Sequence, residues 1–288
     1  MSVLGAMGAA LGVLLVVGIA SAAVLSVSIN SRQQPQPHTL PRISRAYVIH
    51  DAQRNDRSDN ALSLLQLAST VAEQAHMWPA TMTARDPESR AAYEACPTPR
   101  VLVGEYGATA SHVAALEHAL ASDPELLHPA ANRWVLVFED DALPRWPRDR
   151  VVARINSALG AAAQRNVDAV FFGWVLPETP RHLARVDATL WRSPAPLATM
   201  AYALRGSALP GVLALQKQLH CTMPVDCVYK NHLRDALLAT HARNVVPRRS
   251  FLRDALFHQL ATPSSVGEAN KPRTPILGAV AKRARAAT

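Results

Sequence analysis

Trp134-Val135-Leu136-Val137-Phe138-Glu139-Asp140-Asp141-Ala142 is the stretch that decides how the rest of this chain is read. Five successive apolar residues, Trp134 to Phe138, with a proline-containing loop after them, form a buried β-strand that delivers three carboxylates to its C-terminal end. Adjacent acids repel one another unless a positive group binds them. In open α/β sheets ligands sit beyond the C-terminal ends of the strands, so a divalent cation and the phosphates it carries are a natural counter-charge. A solvated acidic turn after a strand is the other reading of the same residues.

The chain around this strand has 288 residues and is 49% hydrophobic, with 12 Gly and 21 Pro, which fits a globular α/β body and excludes a collagen-like or disordered chain. The formal net charge is +8, and the end of the chain contributes Lys271, Arg273, Lys282, Arg283 and Arg285 without an acid beyond Glu268, so the body is only mildly basic. No aromatic residue interleaves with those charges and no nucleic-acid-binding motif is present, so nucleic acid is not an expected partner. The three cysteines, Cys96, Cys221 and Cys227, do not have zinc-site spacing. Cys221 and Cys227 are the nearest pair for a disulfide in an oxidising compartment, with unpaired buried thiols the open alternative.

Residues 3–29 carry no charge, and 11–20 are continuously apolar. At about 1.5 Å per helical residue the segment crosses a hydrocarbon core of roughly 30 Å, so residues 1–30 are read as an N-terminal membrane anchor. A cleaved signal peptide is the competing reading, supported by the small residues Ala20, Ser21 and Ala22. The first basic residues, Arg32, Arg42 and Arg45, follow the span and by the positive-inside rule favour a cytoplasmic body. A lumenal body of ER or Golgi type is the opposing expectation. Residues 31–44, rich in proline and glutamine, form a stem, 45–262 the globular domain and 263–288 a basic tail.

Within the domain, Arg45 to His50 read as a first strand, 51–60 as a polar loop and 61–77 as a helix with apolar Leu62, Leu65, Ala68, Val71, Ala72 and Ala75. Residues 78–84 form a second short strand or an irregular connection, and 86–99 a surface helix or loop. Gly104-Glu105-Tyr106-Gly107-Ala108-Thr109-Ala110-Ser111-His112 then runs into a helix, its glycines allowing close backbone approach. After the acidic strand come a helix over 149–164, a strand over 168–173, an irregular stretch over 191–196 and a strand over 199–204. Ser207 is a candidate cap for the next helix. Met223-Pro224-Val225-Asp226 starts a last helix reaching about 239, in which Asp226 is either a functional carboxylate or an N-cap. The alternation of strands and helices predicts a mostly parallel central sheet.

These residues, in this order, resemble glycosyltransferase family 25, the lipooligosaccharide and procollagen galactosyltransferases. The matching residues are Tyr47-Val48-Ile49, Gly104 to His112, Val137-Phe138-Glu139-Asp140-Asp141, Ala201-Tyr202-Ala203-Leu204 and Pro224-Val225-Asp226. The resemblance spans roughly 45–259. The chain departs from the family pattern at Ala108, where the family has Cys, at Met200, where a His is usual, and at His50-Asp51, in place of Asn-Leu.

The resemblance implies a single GT-A-type domain and an inverting transfer of a hexose, galactose first, from a UDP-sugar to a glycan, glycolipid or glycoprotein acceptor. A nucleoside diphosphate leaving group needs an electrophile, so manganese is expected at Glu139, Asp140 and Asp141, with Asp141 the direct ligand and Asp140 at the ribose or a metal-bound water. Asp226 is the expected catalytic base. Gly104, Gly107, Ser111 and His112 are expected at the donor pocket, and Arg205, Arg248 and Arg249 are candidates for steering the diphosphate. Two readings from other classes stand beside this one. The first is a catalytically inactive, membrane-anchored relative that binds glycan or a partner enzyme, and the second is a basic protein bound at a membrane surface through its tail.

Overall fold

The elements follow from the pattern of the sequence, and they depart from it where pairing across the sheet overrides local periodicity. A computed structural model describes residues 41–175, 184–193, 197–233, 236–240 and 255–260. The expected anchor, nearly all of the stem and the basic tail lie outside the described residues, as do Arg248 and Arg249. No helix among the described residues is long and apolar enough to cross a membrane.

β1 (Arg42–His50) starts three residues before the expected strand, and seven of its nine residues are buried. α1 (Asn55–Val71) follows, with Ala61, Leu64, Leu67 and Ala68 turned to the core. The helix expected over 61–77 ends at Val71, because 72–79 form β2 (Ala72–Pro79), paired in parallel with β1 from Ile43↔Ala72 to His50↔Pro79. Ala72 and Ala75 continue a helical period, but the backbone hydrogen bonds to β1 override that weak signal. α2 (Pro87–Glu94) is capped by Asp86, whose Oδ1 accepts the Glu88 N–H at 3.1 Å, with Pro87 in the first turn.

α3 (Val103–Ser122) begins before Gly104, so the Gly104 to His112 motif lies within the helix and not ahead of it. Gly107 serves a helix-to-loop contact. A Cβ there would run into the Thr81 carbonyl oxygen and lie 2.9 Å from Thr83 Oγ1.

β3 (Arg133–Glu139) has Trp134 to Phe138 completely buried. Each such large side chain contributes on the order of 2 kcal/mol relative to exposure. β4 (Ala142–Pro144), α4 (Arg148–Gln164), β5 (Ala169–Val175) and β6 (Ala184–Arg185) come next. β7 (Leu190–Ser193) replaces part of the expected irregular stretch, and β8 (Leu197–Arg205) follows it. Ser207 lies in a single 3₁₀ turn, Gly206–Ala208, and Ala208 is the N-cap of α5 (Leu209–Leu219), so Ser207 is not the cap. The expected last helix divides into α6 (Val225–His232) and β9 (Ala236–Ala239), before β10 (Phe257–Gln259).

Eight strands form one sheet in the order β2-β1-β3-β8-β5-β9-β7-β6, and β10 pairs with β4 in a second. The sheet is mixed, not mostly parallel. β1 pairs in parallel with β2 and β3, as β5 does with β9, while β3–β8, β5–β8, β7–β9 and β6–β7 are antiparallel. The strand, helix, strand unit β3–α4–β5 exists, and its two strands run the same way, but β8 is inserted antiparallel between them. A strand buried on both faces reads alike in either direction, so periodicity could not reveal the insertion.

Side chains alternate between the two faces. Ala46, Val48, Leu136 and Phe138 pack with Leu64 and Leu67 of α1 and Ile155 and Leu159 of α4. Tyr47, Ile49, Val135 and Val137 pack on the other face with Leu116 of α3, Leu213 of α5 and Tyr229 of α6. The chain leaves β1 over one face to reach β2 and returns over the other to reach β3. The C-terminal ends of β1 and β3 therefore lie at a topological switch point, where a crevice opens.

The one disulfide among the described residues joins Cys96, after α2, to Cys221, after α5, with Cα atoms 5.8 Å apart. It does not join Cys221 to Cys227. The nearer pair in sequence is not the one that packing across α3 brings together, although the sequence separation bridged is 125.

Candidate active site at the switch point

A cavity of about 300 Å³ opens beyond β1 and β3. Its walls are Ile49 and Asp51 after β1, Arg57 of α1, the loop 80–84, Arg90 of α2, Gly104, Ala108, Ser111 and His112 of α3, and Glu139 and Asp140 at the end of β3. Five of the residues expected at the site, Gly104, Ser111, His112, Glu139 and Asp140, thus border one cavity. Gly107, Asp141, Asp226 and Arg205 do not.

The three consecutive acids divide between two networks. Asp140 and Asp141 turn toward α1. Arg57 Nη1 lies 2.7 Å from Asp140 Oδ1 and 3.2 Å from Asp141 Oδ2, with its side chain 5% exposed. His50 Nδ1 is 2.9 Å from Asp140 Oδ2, and the Asp51 N–H donates to the same oxygen at 3.4 Å. Both Asp140 oxygens are therefore engaged. Asn60 Nδ2 donates to the carbonyls of Asp140 and Ala142 at 2.7 and 3.0 Å, holding the turn itself. Gln259 Nε2 reaches Asp141 Oδ2 at 3.0 Å, while Asp141 Oδ1 is buried without a partner among the described residues. Burial, followed by the charge of Glu139, pushes the Asp141 carboxyl up to about 6.

Glu139 turns the other way, toward α3 and β8. Its Oε1 accepts the Thr199 hydroxyl and lies 3.2 Å from His112 Nε2. His112 Nδ1 lies 2.9 Å from the Tyr202 hydroxyl, which lies 2.9 Å from that of Tyr229. Burial pushes the Glu139 carboxyl up, but the His112 hydrogen bond and charge, with Thr199 and the charge of Arg57, outweigh it and hold the group below the ordinary carboxylate value. Burial raises both tyrosines far above theirs, so both hydroxyls keep their protons.

An ionised Glu139 only accepts, so His112 Nε2 carries a proton, and in the neutral form of the ring Nδ1 then accepts from the Tyr202 O–H. Tyr202 oxygen then accepts from Tyr229. The relay has one consistent direction, from Tyr229 to Glu139.

Other expected residues take structural parts. Ser111 Oγ accepts the Thr81 N–H at 2.7 Å and donates to the Gly107 carbonyl at 2.8 Å, fastening the loop 80–84 to α3. Asp226 sits in the first turn of α6, where its Oδ1 accepts the Cys227 N–H at 2.8 Å, and its charge is felt by Glu105 of α3. The N-cap position there belongs to Pro224. Arg205 is at the opposite end of β3, 2.7 Å from Asn166 Oδ1 and with its guanidinium 5.3 Å from the Trp134 ring centre, so it does not face the cavity. Met200 is 5% exposed and packs on Gly173.

Sequence reasoning missed Arg57, Asn60, Thr199, Tyr229 and Gln259 as site residues. The polar run 51–60 was the available signal for Arg57 and Asn60, and the His50-Asp51 departure marked the strand end that meets Asp140. Scanned against protein-family models the chain finds no match, and a search of curated proteins finds none either.

Proposed function

We propose that this protein is a glycosyltransferase of GT-A type, anchored by residues 1–30 in a membrane, which moves a hexose, galactose first, from a UDP-sugar to a hydroxyl of a glycan, glycolipid or glycoprotein. The supporting observation is convergence. Gly104, Ser111 and His112 border the same cavity as Glu139 and Asp140, at the switch point where α/β sheets bind nucleotides. The Cys96–Cys221 disulfide supports an oxidising, lumenal setting for the domain.

The reading calls for a divalent ion, manganese first. Asp141 has a buried Oδ1 that lacks a partner among the described residues, which fits an ion, but it does not border the cavity. Asp140 fits less well, since Arg57 and His50 already engage both of its oxygens. When bound, such an ion would neutralise charge on the departing diphosphate.

The full chain in detergent, given UDP-galactose or UDP-glucose with manganese and an acceptor mixture, is expected to release UDP. If it neither binds nor turns over any nucleotide sugar, the enzyme reading falls. The second reading, an inactive membrane-anchored binding or scaffold protein, is favoured by Met200, which is packed into the core where the family has a His. It predicts glycan binding without UDP release.

A further inference from the structure

The carboxylates bordering the cavity are Asp51, Glu139 and Asp140, and they are not equivalent. Asp51 Oδ1 accepts the Gln53 N–H at 3.1 Å, and its Oδ2 lies 3.2 Å from Arg85 Nη1. Asp140 holds Arg57 on one oxygen and His50 on the other. Glu139 alone has one oxygen doubly held, by Thr199 and His112, and the other, Oε2, hydrogen-bonded by no described residue. Its side chain is 31% exposed, whereas that of Asp140 is 8% exposed. We infer that Glu139 is the catalytic base of the proposed transfer, and that His112, held by Tyr202 and Tyr229, is its positioning residue.

The inference rests on the transferase reading and places the base in the cavity, where Asp226 is not. Two donors on Oε1 fix the plane of the carboxylate and leave Oε2 without a donor among the described residues, on a side chain that borders the cavity. In the transfer, Oε2 takes the proton of the acceptor hydroxyl. The acceptor oxygen forms its bond to the anomeric carbon while the bond from that carbon to the diphosphate breaks. The electron pair leaves with the nucleoside diphosphate, and Glu139 afterwards releases the proton to solvent. His112 does not touch the substrate. Its Nε2–H keeps Oε1 in place, and the Tyr202 hydroxyl on Nδ1 keeps the imidazole in the tautomer that can donate.

The test compares wild-type full chain with Glu139→Gln, Glu139→Asp, Glu139→Ala and Tyr202→Phe, measuring UDP-galactose binding by calorimetry, kcat and KM by UDP release, and folding by melting temperature. Glu139→Gln is expected to bind the donor within about twofold of wild type and to lose on the order of 10²–10⁴ in kcat. Glu139→Asp, which keeps the charge and withdraws it by one methylene, is expected to fold normally and also lose kcat. Tyr202→Phe is expected to lower kcat with donor KM unchanged. Formate is expected to restore turnover to Glu139→Ala and not to Tyr202→Phe. Wild-type kcat in Glu139→Gln or Glu139→Asp, or loss of donor binding in Glu139→Asp, overturns the inference while leaving the transferase reading in place. Failure of the wild type to bind any nucleotide sugar overturns both.

Discussion

Two halves of one acidic turn behave differently. Asp140 and Asp141 lie on the α1 side of the sheet around a buried guanidinium, and Glu139 lies on the α3 side at the end of a chain of neutral hydroxyls and an imidazole. The first arrangement is an ion-pair cluster, in which two negative charges share Arg57, and its stability depends on charge balance. The second is a hydrogen-bonded relay, in which one ionised group is oriented by Thr199 and His112 with two tyrosine hydroxyls behind them. Adjacent residues of one motif thus have opposite tasks. One side holds the turn together, and the other presents a carboxylate.

Replacing Arg57 separates the two halves most strongly. Arg57→Met leaves Asp140 and Asp141 buried without their shared cation and is expected to cost about 3–5 kcal/mol. Chemical denaturation at neutral pH checks this, and the loss should shrink as pH falls through about 6, where the Asp141 carboxyl takes up its proton. A loss under about 1 kcal/mol would mean that the α1 side is not held by charge balance.

A smaller effect concerns Asp141. Its carboxyl is raised in the folded protein, so the folded state binds the proton more tightly than the unfolded chain does. Stability from this group is therefore highest below the ordinary carboxylate value and falls as pH rises through that value to about 6. Asp141→Asn should remove this fall, which amounts to at most ~3 kcal/mol, and flatten melting temperature against pH across that window. An unchanged pH profile in Asp141→Asn would show that the orphaned oxygen is compensated in solution.

The smallest effect is expected on the relay side. Tyr202→Phe removes the hydroxyl that bonds both Tyr229 and His112 Nδ1, a cost of about 1–2 kcal/mol. Chemical denaturation measures it, and a cost under about 0.5 kcal/mol would show that the Tyr202 hydroxyl does not hold the relay together.

The elements with strong patterns were legible. β3, α4, β5 and β8 stand where apolar runs and helical periods put them, and the cavity residues Gly104, Ser111, His112, Glu139 and Asp140 were all named from motifs. Less was legible where local and long-range preferences disagree. β2 was read partly as helix because Ala72 and Ala75 keep a helical spacing, and only the ladder to β1 decides against it. Asp226 was read as a base through the resemblance carried by Pro224-Val225-Asp226, and α6 places it within reach of the charge of Glu105 and not among the residues that border the cavity.

The order of residues along the chain alone determined that a buried strand would carry three acids to the C-terminal edge of an α/β sheet, because apolar runs and charge are local properties. Three things were decided only by tertiary structure. These are the antiparallel insertion of β8 between β3 and β5, the pairing of Cys96 with Cys221, and the division of the acids between Arg57 and His112. Each depends on groups far apart in sequence meeting across the sheet. The backbone spacing of Glu139, Asp140 and Asp141 is the same whichever partners they meet, so their separate roles are set by what α1 and α3 bring to the two faces.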